Sequence, residues 1–203
     1  MKSNYEISLQ NAMKRFCGYD MTILSQKNGI TDRGEYLETR FFGMKTIIEK
    51  KSGVITANGE KADFCETLSV FDWLCDREPD AKASGRFCPV SSLPGVFVRG
   101  KGLMMKSREL SDMIHKKPDL FREKCLKMGG KMVDLGDVGA EIEIFPGLPM
   151  ELKFYFGDEE FPPDITFLWD ENILQFVRYE TVYYIAATLQ KYLKSYIQPK
   201  GFI

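Results

Sequence analysis

The sequence predicts an α+β domain that combines an antiparallel sheet with helices mostly on one face and a helical insertion at about residues 103–129. Apolar residues recur at three- and four-residue steps near both ends of the chain, which indicates amphipathic helices. The last third carries short apolar and β-branched runs broken by proline, glycine and acidic turns, which indicates strands. With 203 residues, 44% of them hydrophobic and 28% charged, the chain has enough apolar material for a substantial core. One domain over residues 1–203 is favoured over two small ones.

The first third begins with helices. Ser3 and Glu6 have the spacing of a capping box, and the helix that they open is expected to run to about Cys17. A shorter helical piece is predicted over residues 20–28, where Asn28 precedes a glycine that ends it.

A β-hairpin or meander is predicted over residues 36–56. The segments 36–42 and 45–50 are rich in aromatic and β-branched residues. A Lys-Ser-Gly turn at 51–53 then leads into a third short strand at 54–56.

The middle of the chain is predicted to hold three helices and a long connection. Asp63, with Glu66 three residues later, opens a helix that ends near Arg77. Residues 78–102 contain three prolines and four glycines with little periodicity, so we expect a surface connection with a short extended piece at 96–98. The insertion then supplies two helices, of which the second starts at a proline and stops at two glycines.

The last third predicts successive antiparallel strands and a closing helix. Strands are expected at 140–145, 150–156 and 165–169, with a fourth at 173–176. The helix at 180–197 is amphipathic and suited to covering one face of the sheet.

The charge distribution is uneven although the net charge is only -1. Such a balance gives no general attraction to nucleic acid or to an anionic bilayer. No run of the sequence approaches the roughly 18 apolar residues that span a membrane, so a cytoplasmic protein is expected. Residues 101–131 hold nine Lys or Arg against four Asp or Glu, whereas residues 132–180 hold two against twelve. These segments are either solvated faces that partly pair with each other, or a dipolar surface that docks a charged partner or, by weak self-association, a second copy.

The metal-ligating residue types are sparse and dispersed. Five cysteines occur without a close C-x-x-C pair, so free thiols are predicted and neither a zinc site nor an iron–sulfur cluster is expected. His115 is the only histidine, and at a predicted helix end it is expected to complement the helix dipole instead of serving a catalytic or metal site. No cofactor is predicted.

Two features could contact a ligand. Asp158, Glu159 and Glu160 lie in a loop between strands, where they form either a solvated turn or a contact for a ligand or partner, and Phe161 is expected to anchor this loop on apolar surface. Arg99 stands beside a Gly-Lys-Gly segment that could bind an anion through backbone amides, but the spacing of a phosphate loop is missing.

Several motifs between residues 130 and 189 resemble one known family. They are Gly136-Asp137, the run Phe145-Pro146 to Pro149, the string G-D-E-E-F-P-P at 157–163, Leu168 to Asp170, and Glu180. In these residues the chain resembles the uncharacterised prokaryotic family called domain of unknown function 3786. The resemblance is looser upstream.

The resemblance implies a protein of anaerobic bacteria or archaea with no established activity. Some members carry an additional N-terminal iron–sulfur domain, similar to that of the corrinoid iron–sulfur protein of the acetyl-CoA pathway. The four-cysteine pattern of that domain is not found here, since Cys17 is the only cysteine among the first 64 residues.

Two functions are therefore weighed. The first is a non-catalytic binding or accessory protein of anaerobic one-carbon or cofactor metabolism, whose partner is an unknown protein or small molecule. The alternative is an enzyme that uses carboxylate acid–base chemistry at Asp158, Glu159 or Glu160. No catalytic residue is assigned, and the candidate contacts are these three carboxylates, Phe161 and Arg99.

Overall fold

The computed structural model describes residues 4–96 and 107–197, and these form helices and antiparallel sheets that confirm the α+β class. The helices are α1 (Asn4–Cys17), α2 (Met21–Ser25), α3 (Phe64–Phe71), α4 (Arg108–Lys116), α5 (Pro118–Lys127) and α6 (Tyr179–Ile197). The strands are β1 (Thr31–Asp32), β2 (Tyr36–Phe41), β3 (Met44–Glu49), β4 (Ile55–Ala57), β5 (Glu60–Lys61), β6 (Phe87–Cys88), β7 (Lys131–Val133), β8 (Val138–Phe145), β9 (Leu148–Tyr155) and β10 (Asp164–Asp170).

The strands divide between two five-stranded sheets, whereas the sequence analysis assigned a single one. The first sheet is a meander in the order β1-β2-β3-β4-β5, and the second has the order β6-β10-β9-β8-β7. Leu37 of β2 pairs with Ile48 of β3 and both are buried, so one face of the first sheet packs on the core.

Local signals explain where the helices begin and end. The Asp63 carboxylate accepts a hydrogen bond from the Glu66 amide at 3.0 Å, and the Glu66 carboxylate accepts one from the Asp63 amide at 2.6 Å, which makes a capping box at the predicted helix start. Pro118 starts α5, and the chain turns at Gly129 just beyond its end. Ser3 lies outside the described residues, and α1 ends at Cys17 as expected.

The helix that begins at Asp63 continues as a π-helical segment at Asp72–Asp76. Asp72, Trp73, Leu74 and Cys75 are all buried there. A π-helical turn is a rare, widened turn that occurs often at functional sites, and the segment forms part of the site described below.

An aromatic stack joins the two sheets and the π-helical segment. Phe42 stacks on Phe41 with ring centroids 4.8 Å apart, Phe41 on Phe145 at 4.5 Å, and Phe145 on Trp73 at 4.6 Å. Phe41 and Phe42 also meet the ring of Tyr192 on α6 edge-on. These contacts make the buried side chains of both sheets one continuous core.

Three predicted details were wrong. Residues 173–176 do not form a strand but a 3-10 turn at Ile173–Gln175, because the buried Asp170 carboxylate accepts the Asn172 amide and bends the chain out of the sheet. The helix expected over 20–28 stops at Ser25. The short strands β1, β5, β6 and β7 were not predicted.

Most of the extended piece expected at 96–98 lies outside the described residues. None of the helices in the described ranges has both the length and the apolar character that a bilayer crossing requires.

Candidate functional site

The predicted carboxylates lie in the connection between β9 and β10. Asp158, Glu159 and Glu160 are exposed there. One oxygen of Asp158 accepts hydrogen bonds from the amides of Glu160 at 2.8 Å and Phe161 at 2.7 Å. The amide of Phe161, and then that of Glu160, stabilise the charged form, so the pKa of Asp158 is lowered. A carboxyl group held in this way does not suit the raised-pKa acid of the enzyme alternative.

Phe161 does not anchor this loop, and that expectation was wrong. Its side chain is 67% exposed. The loop is instead held by its own backbone, because the Asp158 amide donates to the Phe161 carbonyl at 2.9 Å. Arg99 lies outside the described residues.

His115 is in the last turn of α4, as the sequence predicted. Its Nδ1 accepts a hydrogen bond from the Gly157 amide at 3.3 Å, and its ring meets the edge of Phe156 at 5.8 Å. His115 therefore ties the β9–β10 connection to α4.

A cleft of about 790 Å³ lies beside the π-helical segment. It lies where α2, the residues that follow the segment and the β8–β9 turn come together. Its lining residues are Ile23, Gln26, Lys27, Asn28, Cys75, Arg77, Glu78, Pro79, Ala81, Lys82, Ala83, Pro146, Gly147 and Phe176.

Lys27 is a half-buried cation on one wall of the cleft. Its Nζ donates to the carbonyl oxygens of Leu74 at 2.7 Å and Cys75 at 3.2 Å. Burial, followed by the charge of Arg77, lowers the pKa of Lys27. Among the described residues no carboxylate lies within ion-pair distance of its Nζ. The positive charge is stabilised by the two carbonyl dipoles at hydrogen-bond distance and, from further away, by the charge of Asp76.

Arg77 provides a second cation of the same kind. One guanidinium nitrogen donates to the Asn28 carbonyl at 2.7 Å, and the group lies over the ring of Trp73 at 4.5 Å from its centroid. Burial lowers the pKa of Arg77. Within residues 4–96 and 107–197 this guanidinium also lacks an ion pair. Lys82, which is exposed, adds a third cation, against the single carboxylate of Glu78 in the lining.

The wall at residues 78–83 is fixed to the turn that follows β10. The Glu78 amide donates to the Gln175 carbonyl at 2.8 Å, and the Asn172 side chain donates to the Lys82 carbonyl at 2.9 Å. The fully buried Asp170 accepts from the amides of the two residues after this wall, at 2.9 and 2.8 Å. These bonds hold the cleft open before any ligand enters.

A second charged cluster lies on the other side of the π-helical segment. The buried Asp72 accepts hydrogen bonds from Arg178 and from the Thr181 hydroxyl, and Asp76 accepts from Arg15 at 2.9 Å. Each arginine here faces a carboxylate, so the cluster is neutral and ties α1 and α6 to the segment.

The cleft has cations that form no ion pair with any described residue, and an apolar wall formed by Ile23, Pro79, Ala81, Pro146 and Phe176. This arrangement suits an organic anion with an apolar body. The sequence analysis missed the site, because Lys27 and Arg77 are fifty positions apart and neither belongs to a motif. In the part of the chain that the structure describes, no three His, Cys, Asp or Glu side chains are grouped so that they could hold a metal ion.

Comparison with known proteins yields one family. Residues 20–192 match the model of a family described as a domain of unknown function (DUF3786). The matched residues include the cleft and the β9–β10 connection. Neither the curated proteins nor the solved structures contain a significant match.

Proposed function

Since the chain belongs to the DUF3786 family, whose description names no activity, we propose from the cleft itself that this protein binds an organic anion. The ligand carries a carboxylate or phosphate group for Lys27, Arg77 and Lys82, and an apolar body for the opposite wall. The observation that carries this proposal is the pair of partly buried cations, Lys27 and Arg77, which donate to carbonyl oxygens and form no ion pair with a described carboxylate.

An anion would offset the cost of placing these cations together. Two like charges that face one cavity repel each other, and partial burial removes part of their hydration. A bound carboxylate or phosphate supplies the missing counter-charge through hydrogen bonds to charged donors, which are worth about 1.5–3 kcal/mol each.

The cleft is better equipped for binding than for catalysis. Burial raises the pKa of the Cys75 thiol to about 12, so almost no thiolate forms at neutral pH. Glu78 is the one carboxylate in the lining, and it is exposed. This agrees with the non-catalytic role expected from the sequence, and the cytoplasmic setting and anaerobic metabolic context remain predictions that rest on sequence and family resemblance.

Isothermal titration calorimetry with matched probes tests the proposal. Naphthylacetate and naphthyl phosphate place an anionic group on an apolar ring, and naphthylacetamide is the neutral counterpart. We expect the anions to bind roughly tenfold or more tightly than the amide, because at least one charged hydrogen bond separates them.

Variants locate the binding. Arg77→Gln and Lys82→Gln should each weaken binding of the anions and leave that of the amide nearly unchanged. Lys61→Gln, at an exposed position in β5, removes the same charge away from the cleft and serves as the control. Equal affinity for the acid and the amide, or equal affinity in all three variants, would show that the cleft does not recognise anions.

A further inference from the structure

Three aromatic side chains are exposed at the end of β9 and in the connection that follows it. Tyr155 is 46% exposed, Phe156 38% and Phe161 67%. We call these three residues the aromatic tip. Single exposed apolar residues are ordinary on a protein surface, but three large exposed rings within seven positions, at one end of a sheet, are a concentration of the kind that marks interaction sites. Tyr155 faces Lys153 on one side of the strand end, and Phe156 faces Phe154 and His115 on the other.

Carboxylates surround the aromatic tip. Asp134 and Asp137 precede β8, and Asp158, Glu159 and Glu160 follow β9; all five are exposed. The two segments lie at the same end of the sheet, because Gly136 pairs with Phe154 and the Asp137 carboxylate accepts the Phe156 amide at 2.8 Å. No ion pair links any of these five carboxylates to another residue of the described ranges. The nearby cation is Lys153, whose Nζ lies 5.4 Å from the centroid of the Tyr155 ring.

The tip is held in place before any partner arrives. Phe156 packs edge-on against Phe154 at 5.3 Å and against His115 at 5.8 Å. The backbone of Phe161 is held by its hydrogen bonds to Asp158. A surface fixed in this way loses little conformational entropy on binding.

We propose that the aromatic tip and its carboxylates dock a cationic segment of a partner protein, in which arginine or lysine alternates with apolar side chains. The exposed carboxylates and rings are complementary to such a segment. Arginine and lysine are attracted to the faces of aromatic rings and to carboxylates, whereas apolar side chains of the segment pack on the exposed rings.

A second copy of this chain is a poorer fit. The basic segment of α4 and α5 would be its cationic surface, but several of its cations are already paired within the helices. These pairs are Arg108 with Asp112, Arg122 with Asp119, and Lys127 with Glu123.

The docking surface is independent of the cleft. The cleft touches the β8–β9 turn at Pro146 and Gly147, whereas the aromatic tip follows the other end of β9. A strand of eight residues is about 25 Å long, so a ligand in the cleft does not reach the tip.

The test uses fluorescence anisotropy with a short labelled peptide of alternating arginine, leucine and serine. A peptide with glutamate in place of every arginine is its control. Phe161→Ser should weaken binding of the arginine peptide by roughly tenfold or more, as the loss of an aromatic anchor does. The double variant Glu159→Gln/Glu160→Gln should weaken it by roughly fivefold and reduce its dependence on salt.

Matched variants separate a specific surface from general charge attraction. Glu35→Gln/Glu60→Gln removes two exposed carboxylates from the first sheet, and Ile7→Ser removes an exposed apolar side chain from α1. Both should bind the arginine peptide within about twofold of the parent chain. Equal loss in tip and control variants, or equal binding of the two peptides, would overturn the proposal.

Sedimentation velocity of the chain alone addresses the second copy. A monomer at all concentrations is the expected result. Self-association that Phe161→Ser abolishes would replace the cationic partner with another copy of this chain and so contradict the proposal.

Discussion

At the scale of single residues, the ionisation of Lys27 should control anion binding. Partial burial and the charge of Arg77 lower its pKa, so it deprotonates below the value of about 10.4 that is usual for lysine. The protonated form attracts the anion, and affinity therefore falls as the pH rises through this lowered pKa. Calorimetric titration of naphthylacetate from neutral to alkaline pH measures the fall, since the probe stays ionised throughout.

The variant Lys27→Gln isolates this contribution. It should bind naphthylacetate more weakly at neutral pH, by roughly tenfold, and should lose much of the decline at alkaline pH. The Cys75 thiol, whose pKa burial raises to about 12, does not titrate in the same window. A decline of the same size in the parent chain and in Lys27→Gln would assign the pH dependence to other groups.

The cysteines should differ in reactivity according to their burial. All five are free thiols, and Cys17 is exposed, whereas burial raises the pKa of Cys75 and Cys125 to about 12. The thiolate is the reactive form, so iodoacetamide should alkylate Cys17 roughly a hundredfold or more faster than either buried thiol. Peptide mapping after timed quenching gives the rates, and unfolding in urea should bring them together. Rapid alkylation of Cys75 in the folded chain would indicate that the cleft opens around it.

At the scale of elements, the π-helical segment depends on Asp72. Its carboxylate is fully buried and accepts from Arg178 at 3.0 Å and from the Thr181 hydroxyl, which joins the segment to α6. Asp72→Asn keeps the shape of the side chain but removes its negative charge. The new amide NH2 group is a donor and would face the donor groups of Arg178 and Thr181. We expect the free energy of unfolding to fall by about 1–3 kcal/mol in urea titrations. Asp80→Asn, on the exposed loop, should change it by less than about 0.5 kcal/mol.

Elements that are stabilised by residues close to them in the sequence could be predicted, whereas elements that depend on residues far away in the sequence could not. The capping box of α3 requires only Asp63 and Glu66, so its start was predicted. The π-helical continuation depends on Arg178 and Thr181, more than a hundred positions away, and no local pattern marks it. The error at 173–176 has a different origin, since a short apolar run fits a strand and a turn equally well, and the local bond from the Asn172 amide to Asp170 decides for the turn.

One local signal was present but not used. Asn58-Gly59 is among the strongest hairpin sequences, and it joins β4 to β5, a strand that was not predicted. The cleft is different, because Lys27 and Arg77 meet only through packing of α2 beside the segment. The sequence predicted the correct loop for Asp158, Glu159 and Glu160. It did not predict that Phe161 is exposed, because burial of an aromatic side chain depends on tertiary contacts.

At the scale of the whole molecule, the two sheets are joined through one hairpin turn. Phe42 and Gly43 form the turn between β2 and β3, and both have positive φ, 49° and 73°. The Phe42 amide donates to the Ile144 carbonyl of the second sheet at 2.8 Å. The ring of Phe42 is also the first ring of the aromatic stack. The turn therefore has to keep its conformation for the first sheet to dock on the second.

Gly43→Ala should test this junction against a matched turn. A Cβ on Gly43 would lie 2.2 Å from the Met128 carbonyl oxygen, which is backbone and has little room to move. Asn58-Gly59 is the same kind of two-residue turn, with φ of 52° and 85°, but a Cβ on Gly59 meets nothing within 4 Å. Gly59→Ala therefore bears only the backbone cost, about 1–2 kcal/mol. Gly43→Ala adds overpacking of about 1–3 kcal/mol. Urea titrations should show the larger loss of unfolding free energy in Gly43→Ala, and equal losses would mean that the turn does not come this close to Met128, the residue that follows α5.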